Sequence, residues 1–263
     1  MYFELPLIAF FIFESDKIKE LSSAMNLVID CGNTRIKAAS FQEDLLKEKF
    51  LFNNITDLEL FLSSHTFNNA LVSSVSLPAE EIISQITAKG KKMKLDGRLP
   101  LPFKNGYATP NSLGVDRIAA VSGALEIFPN RNCLVIDAGT CVNYEFIDEK
   151  GQYLGGAISP GIHMRLEAMH KFTARLPLVA NNQDSPLIGN STETCMQSGV
   201  TNGVIAEIEG IISRYSDLYP GLGVILSGGD YSLFENKLKP SIFVAPELVL
   251  SGLNRILLHN VRI

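Results

Sequence analysis

Val28-Ile29-Asp30-Cys31-Gly32-Asn33-Thr34 is an apolar run that ends in an acid and turns on a glycine. The phrase returns later as Val135-Ile136-Asp137-Ala138-Gly139-Thr140. Each reads as a buried strand, a carboxylate at the strand end, a glycine turn and a hydroxyl. A second strand-like run follows each turn, Ile36 to Phe41 and Val142 to Ile147, so each unit is a hairpin. The repetition predicts two related lobes, each aiming a carboxylate and a small-residue turn into one cleft. That arrangement suits a nucleoside triphosphate.

The rest of the chain fits around these hairpins. Leu46 to Phe52 reads as a third strand, Asp57 to Ser63 as a helix, Ala70 to Val75 as a strand and Ala79 to Ala88 as a helix. Leu95 to Thr109 is rich in Pro and Gly and reads as a loop over the cleft. Ile118, Val121, Leu125 and Phe128 recur at helical spacing after Asp116, and Pro129-Asn130 then breaks the chain. In the second half, Tyr153 to Ile158 continues the sheet and Ser159-Pro160-Gly161 turns into a helix reaching Phe172. Ser191 or Thr192 opens a long helix to about Leu218, Val224 to Leu226 is the last core strand, and Leu248 to Val261 is a closing helix. The expected fold class is therefore α/β, with two duplicated lobes and a central cleft. The first lobe is expected over residues 25–128 and the second over 129–263. Residues 1–24 read as an extension outside this pattern, with the functional protein starting at or near Met25. Their apolar run, Leu5 to Phe13, is too short to span a bilayer and has no preceding Lys or Arg.

Composition narrows the function classes. Apolar residues make up 46% and charged residues 19% of the chain, an ordinary globular balance. The formal charge is −5 and there is no basic stripe, which speaks against nucleic acid as a partner. The densest cationic run, Lys89 to Lys94, reads as a solvated face or loop. The four cysteines, Cys31, Cys133, Cys141 and Cys195, form no CxxC pair. They suit a reducing cytoplasm, with no membrane attachment. There is neither a GxxxxGK[ST] phosphate loop nor a strand-linked GxGxxG.

In the first turn, Gly32 lets backbone approach a phosphate, and successive N–H groups there can cradle an anion. Asn33 and Thr34 add donors, and Lys37 on the return strand could meet a phosphate. Ionised Asp30 cannot donate to phosphate, so its natural role is Mg²⁺, directly or through water. One such turn alone is as readily a plain hairpin; Asp137, Gly139 and Thr140 repeat the device and change the odds. Ser227-Gly228-Gly229 supplies a third Gly-rich strand end that admits an adenine or ribose. Asp116 stands at a helix start, where the dipole favours an acid. Phosphoryl transfer needs the acceptor hydroxyl oriented more than deprotonated early, a task within reach of such a carboxylate. Arg117 beside it could hold an anionic substrate.

The duplicated hairpins resemble the ribonuclease-H-like lobe pair of the acetate-kinase, sugar-kinase, hsp70 and actin superfamily. Within it, four ordered motifs resemble the type III pantothenate kinases. They are Asp30-x-Gly-Asn-Thr-x-x-Lys37, Gly114-x-Asp-Arg117, Asp137-x-Gly-Thr140, and Gly189-x-x-Thr192 with Met196-Gln-Ser-Gly199. Tyr107, Gly155-Gly156 with Pro160-Gly161, and the late Ser-Gly-Gly turn also fit. The resemblance implies ATP-dependent phosphorylation of pantothenate to 4′-phosphopantothenate, the first step of coenzyme A synthesis. It implies that Asp30, Cys31, Gly32, Asn33, Thr34, Arg35, Ile36 and Lys37 bind ATP phosphates, with Thr140 a further nucleotide contact. Asp116 would be the catalytic base. Tyr107, Gly114, Val115, Asp116, Arg117 and Thr192 would line the pantothenate site, with Arg117 meeting the carboxylate. Asp137 would hold K⁺ or NH₄⁺ beside the Mg²⁺, and the protein would be a homodimer. Cys141 and Asn143 depart from the family's small or hydroxyl residues after the second turn.

Two other functions fit the same residues: a superfamily kinase with another hydroxylated or carboxylate substrate, and a non-catalytic ATP-binding regulator of transcription. Retention of both acidic turns and Asp116 speaks against the regulator.

Overall fold

The computed structural model describes residues 25–238 and 241–262. Residues 1–24, and with them the expectation of a start near Met25, lie outside the described residues. The chain divides into two compact units. One holds the described residues up to Pro102, Thr109–Gly123 and those from Val249 on; the other holds Phe103–Ala108 and Ala124–Leu248.

The first unit is built on β1 (Asn26–Cys31), β2 (Ile36–Gln42), β3 (Leu45–Phe52), β4 (Ala70–Ser74) and β5 (Lys92–Lys94), in the order β3-β2-β1-β4-β5. The hairpin strands pair antiparallel, while β4 and β5 run parallel to β1. Helices α1 (Ile55–Ser64) and α2 (Ala79–Gln85) cover one face, where Leu27, Ile29, Val72, Leu58, Leu62 and Ile82 share a core. Asn54 opens α1 by accepting the Asp57 N–H at 2.9 Å. The α2 helix stops at Gln85, short of the expected Ala88, because Ala88 bridges to Phe67 as extended chain. The cationic run is a solvated face rather than only a loop: its second half supplies β5, whose Lys92 and Lys94 are exposed while Met93 is half-buried. Lysines on an edge strand hinder further pairing, so the charge has a physical place there.

The second unit repeats the order. Cys133–Ala138 (β7), Cys141–Ile147 (β8) and Gln152–Pro160 (β9) form the meander, and Gly223–Ser227 (β10) and Phe243–Val244 (β11) run parallel to β7. Read from β9 to β11, the sheet is β9-β8-β7-β10-β11, the ribonuclease-H-like order of the first. A sixth strand, β6 (Lys104–Asn105), pairs parallel to β9 inside what the sequence suggested was only loop. The expected turn Ser159-Pro160 is instead the end of β9, where Pro160 sits opposite Cys141. Helices α4 (Ile162–Phe172) and α5 (Thr192–Leu218) cover the core face. Glu207 of α5 accepts from Tyr144 of β8 at 2.9 Å and pairs with Arg165 of α4 at 2.5 Å, tying three elements together.

The units are not consecutive segments meeting at Pro129. The division falls within α3 (Val115–Ile127), and α6 (Leu248–Val261) returns to the first unit. There Asn254 donates to Glu43 O at 2.8 Å, Asn260 donates to Pro100 O at 2.9 Å, and Lys91 reaches Asn260 O at 2.6 Å. Gly252 permits this packing: a Cβ there would lie 1.8 Å from Ala119 O and 2.8 Å from Gly123 N. Gly252→Ala should therefore destabilise the protein by roughly 2–4 kcal/mol, since backbone cannot step aside. Gly210→Ala, with nothing within 4 Å of its Cβ, should be neutral or stabilising. Urea midpoints of the two variants check the contrast.

Candidate active site

Asp30 lies near the end of β1, registered with Lys37 on β2 and Ser73 on β4. Leu27, Ile29 and Cys31 point into the helix-covered core, so strand alternation turns Asp30 to the other face. Its register partners share that face. Ser73 Oγ donates to Asp30 Oδ1 at 3.3 Å. Burial, and then the charge of Asp116, push the Asp30 carboxyl up to about 6, while Lys37 and Ser73 pull it down. The first unit thus brings Asp116 and Lys37 each within electrostatic reach of Asp30.

The α3 start holds Asp116 by local backbone geometry. Its Oδ1 accepts the Arg117 N–H at 2.9 Å, and the Ile118 N–H reaches back to Gly114 O at 3.2 Å. A Cβ on residue 114 would lie 2.5 Å from Asp116 Oδ1, so the glycine leaves room for the folded-back carboxylate. Arg117 is 8% exposed, a depth at which a guanidinium requires partners.

Pairing of Cys31 with Ile36 closes the first hairpin around residues 32–35. The Val75 N–H binds Cys31 O at 3.0 Å and Ser76 Oγ binds Gly32 O at 2.8 Å, holding the turn's carbonyls. Asn33, Thr34 and Arg35 are exposed. Cys31 and Ile36 are buried in the core, so they can offer an anion only backbone. Burial and Asp30 push the Cys31 thiol up to about 11, leaving it protonated and inert.

In the second unit Asp137 repeats the place of Asp30, opposite Asn143 and beside Ser227. Gly228 has φ +95°, and a Cβ there would lie 2.1 Å from Ala138 O and 2.5 Å from Asp137 Oδ1. The Ser-Gly-Gly turn therefore folds directly over the aspartate. Among the described residues Ser227 Oγ is buried with no hydrogen-bond partner. Gly161 packs against the second turn, its N–H on Thr140 O at 3.0 Å, with Thr140 itself exposed at the tip.

Thr192 is the first residue of α5, after the Ser191 cap that accepts the Thr194 N–H at 3.2 Å. It lines an open pocket of about 790 Å³ with Met169, Leu176, Gly189, Asn190 and Cys195. Tyr107 does not line that pocket; it follows β6 and stacks on Tyr153 with ring centroids 6.0 Å apart.

Among the described residues no group of three His, Cys, Asp or Glu could hold a metal. A Mg²⁺ would thus rest on one or two carboxylates and on phosphate oxygens, as Mg²⁺ commonly does. Asp30 fits, since a divalent cation would offset the burial and repulsion that raise its pKa. Around Asp137, the orphaned Ser227 hydroxyl fits a further cation with oxygen ligands.

Sequence reasoning passed over Ser73 and read Ser227 only as part of a Gly-rich turn for adenine or ribose, although each lies near the end of an apolar strand, registered with the aspartate of its half. It also passed over Glu145, a lone acid between Tyr144 and Phe146, and Tyr153.

Two sheets of the same ribonuclease-H-like order, each with an aspartate near the end of its first hairpin strand, define the fold class shared by sugar kinases, acetate kinase, hsp70 and actin. Solved structures share the fold. A conserved Baf family protein from Campylobacter jejuni aligns with TM-score 0.61 at 20% identity, over 90% of this chain and 100% of that one. A ROK family glucokinase from Streptomyces griseus aligns with TM-score 0.51 at 9% identity, over 89% and 99%. Within that class the sequence is specific. Residues 26–214 match the type III pantothenate kinase family. The type III pantothenate kinase of Christiangramia forsetii is 43% identical over 240 residues, 90% of this chain and 99% of the relative. That of Bacteroides fragilis is 45% identical over 239 residues, 90% and 98%. The chain belongs to the type III pantothenate kinase family.

Proposed function

We propose that this chain transfers the γ-phosphoryl group of ATP to the primary hydroxyl of pantothenate, with Asp116 as the base and Asp30 at the Mg²⁺. The observation that carries the assignment is the Asp30–Asp116 pair, two carboxylates that repel each other beside Lys37. Mg²⁺, when bound, would neutralise charge on the polyphosphate. Lys37 and the backbone of residues 32–35 would cradle the phosphates, with Thr140 a further contact. Asp116 would orient the hydroxyl as its oxygen bonds to the γ-phosphorus and the bond to the ADP oxygen breaks. The hydroxyl proton passes to Asp116 as the new ester forms. Arg117 would hold the pantothenate carboxylate, and Gly114, Val115, Tyr107 and Thr192 would line its site. ADP release, followed with pantothenate, ATP, Mg²⁺ and K⁺, tests the reading. ADP release that ignores pantothenate and responds to a sugar or acetate would replace it with another superfamily kinase. ATP binding with no turnover on any acceptor would favour a regulator.

Asp137, with Ser227 beside it, is assigned to K⁺ or NH₄⁺. Replacing K⁺ by Na⁺ should depress kcat several-fold, and Asp137→Asn should remove that response. Initial rates in the two salts check this; a wild type indifferent to the cation would take Asp137 out of the site.

Exposed Leu154 and Ile158 on β9, with Leu187 and Ile188 before α5, support a homodimer. The reaction is assigned to the cytoplasm, where the free thiols stay reduced. No described helix is long and apolar enough to cross a membrane.

A further inference from the structure

Glu145 is 0% exposed in the middle of β8. It is registered with Val135 of β7 and Gly156 of β9, and so shares the sheet face of Asp137 rather than that of the helix-covered core. Tyr153, also fully buried, donates its hydroxyl to Glu145 Oε2 at 2.5 Å. A buried carboxylate is costly, and a Leu–Phe pair of similar volume would pack here without that cost. Apolar replacement of a buried polar pair is often neutral or stabilising, which turns attention to what this pair holds in place.

What Tyr153 touches identifies it. Its carbonyl accepts the Gly106 N–H at 2.9 Å, and a Cβ on residue 106 would lie 2.8 Å from that same oxygen. The next residue is Tyr107, whose ring lies at 23° to the Tyr153 ring with centroids 6.0 Å apart. Gly155, at φ +100°, also lies against Tyr107: a Cβ there would fall 3.3 Å from the Tyr107 ring. Phe103 meets Tyr153 edge-on at 6.0 Å. The β6 strand that precedes Tyr107 pairs with β9 through two residues, Lys104 and Asn105, and Asn105 Oδ1 accepts the Tyr107 N–H at 3.0 Å. Both its backbone and its aromatic ring are referred to Tyr153, and the Tyr153 ring is referred to Glu145.

We propose that the buried Glu145–Tyr153 hydrogen bond is a positioning device that sets Tyr107 for the acceptor substrate, a small hydroxylated carboxylate. Neither residue touches the reacting atoms. The inference rests on the assignment of Tyr107 to the pantothenate site. Loosening the pair lets the β6 segment and the Tyr107 ring wander, which costs acceptor affinity and leaves the nucleotide alone.

The test is steady-state kinetics on the full chain. Tyr153→Phe should raise the KM for pantothenate about tenfold, with the KM for ATP within about twofold and kcat within about threefold of wild type. Glu145→Gln, whose amide oxygen still accepts from the tyrosine hydroxyl, should restore most of the affinity that Glu145→Leu loses. In a Tyr107→Ala background, Tyr153→Phe should add nothing. If the carboxylate left by Tyr153→Phe unfolds the protein, Tyr153→Phe with Glu145→Leu removes it and carries the same expectation. An unchanged KM for pantothenate in Tyr153→Phe, a rise that persists on top of Tyr107→Ala, or a joint loss of kcat and both KM values would overturn the positioning role. If Tyr107→Ala itself leaves the KM for pantothenate unchanged, the assignment of Tyr107 to the substrate fails, and this inference falls with it.

Discussion

Asp116→Asn is expected to lower kcat by about a thousandfold while leaving ATP affinity within about threefold. The amide is nearly isosteric and can still accept the Arg117 N–H that fixes the side chain at 2.9 Å. The helix start and the room left by Gly114 are therefore kept. What is lost is the proton acceptor proposed for the hydroxyl. Because Asp116 raises the pKa of Asp30, the variant should also make Asp30 easier to ionise. Single-turnover rates with saturating pantothenate, together with ATP binding by calorimetry, separate the two effects. Turnover at the wild-type rate would remove Asp116 from the role of base.

Asp30→Asn should show the opposite balance of activity and stability. Activity should fall about a hundredfold or more, because the strand-end carboxylate proposed to hold Mg²⁺ is gone. The fold should gain. The Asp30 carboxyl is raised from 3.8 to about 6 in the folded chain, so the native state binds this proton more tightly than the unfolded one. Its contribution favours the folded state at low pH. That contribution is lost as pH rises through the window from 3.8 to about 6, and ionised Asp30 is a net cost above it. Removing the charge should stabilise the metal-free protein at pH 7.5 by on the order of 2 kcal/mol. The gain should vanish below about pH 4 and shrink when Mg²⁺ is added. Thermal melts across pH, with and without Mg²⁺, read this directly. A variant less stable than wild type at neutral pH would mean that Asp30 is already neutralised by a partner.

The hairpins were legible in the sequence because strand alternation, a terminal acid and a glycine turn coincide within a few residues, twice. Long helices were legible for a related reason: Ser191 caps α5 by side-chain chemistry that the sequence states outright. The short strands were not. Lys92–Lys94, Lys104–Asn105 and Phe243–Val244 are two or three residues long, and no periodicity can be counted over so few. Their extended form comes from a neighbouring ladder. Nor could periodicity assign α6 to the first unit, since an apolar helix face does not state which partner it covers. That assignment depends on Gly252 lying against the backbone of Ala119, a contact between residues far apart in the chain.

The candidate site divides along the same line. Asp30, Asp137 and Asp116 announce themselves by position, at strand ends or a helix start. Ser73, Glu145 and Tyr153 gain meaning only from register, and Ser227, legible as part of a Gly-rich strand end, is placed beside Asp137 the same way. Cys31 and Ile36, inside the phosphate motif, turn out to face the core. The strands' two-residue period sends Cys31 and Ile36 into the core and leaves Asp30 and Lys37 on the opposite face.

The central claim is that this doubled scaffold transfers a phosphoryl group to the primary alcohol of pantothenate. Phosphorus NMR of pantothenate and ATP incubated with the full chain, Mg²⁺ and K⁺ tests it most directly. The expected result is a single new phosphomonoester resonance, coupled to the protons of the 4′ methylene and growing in step with ADP. ATP that stays intact, or is split to ADP and free phosphate with no ester at that carbon, would contradict the account.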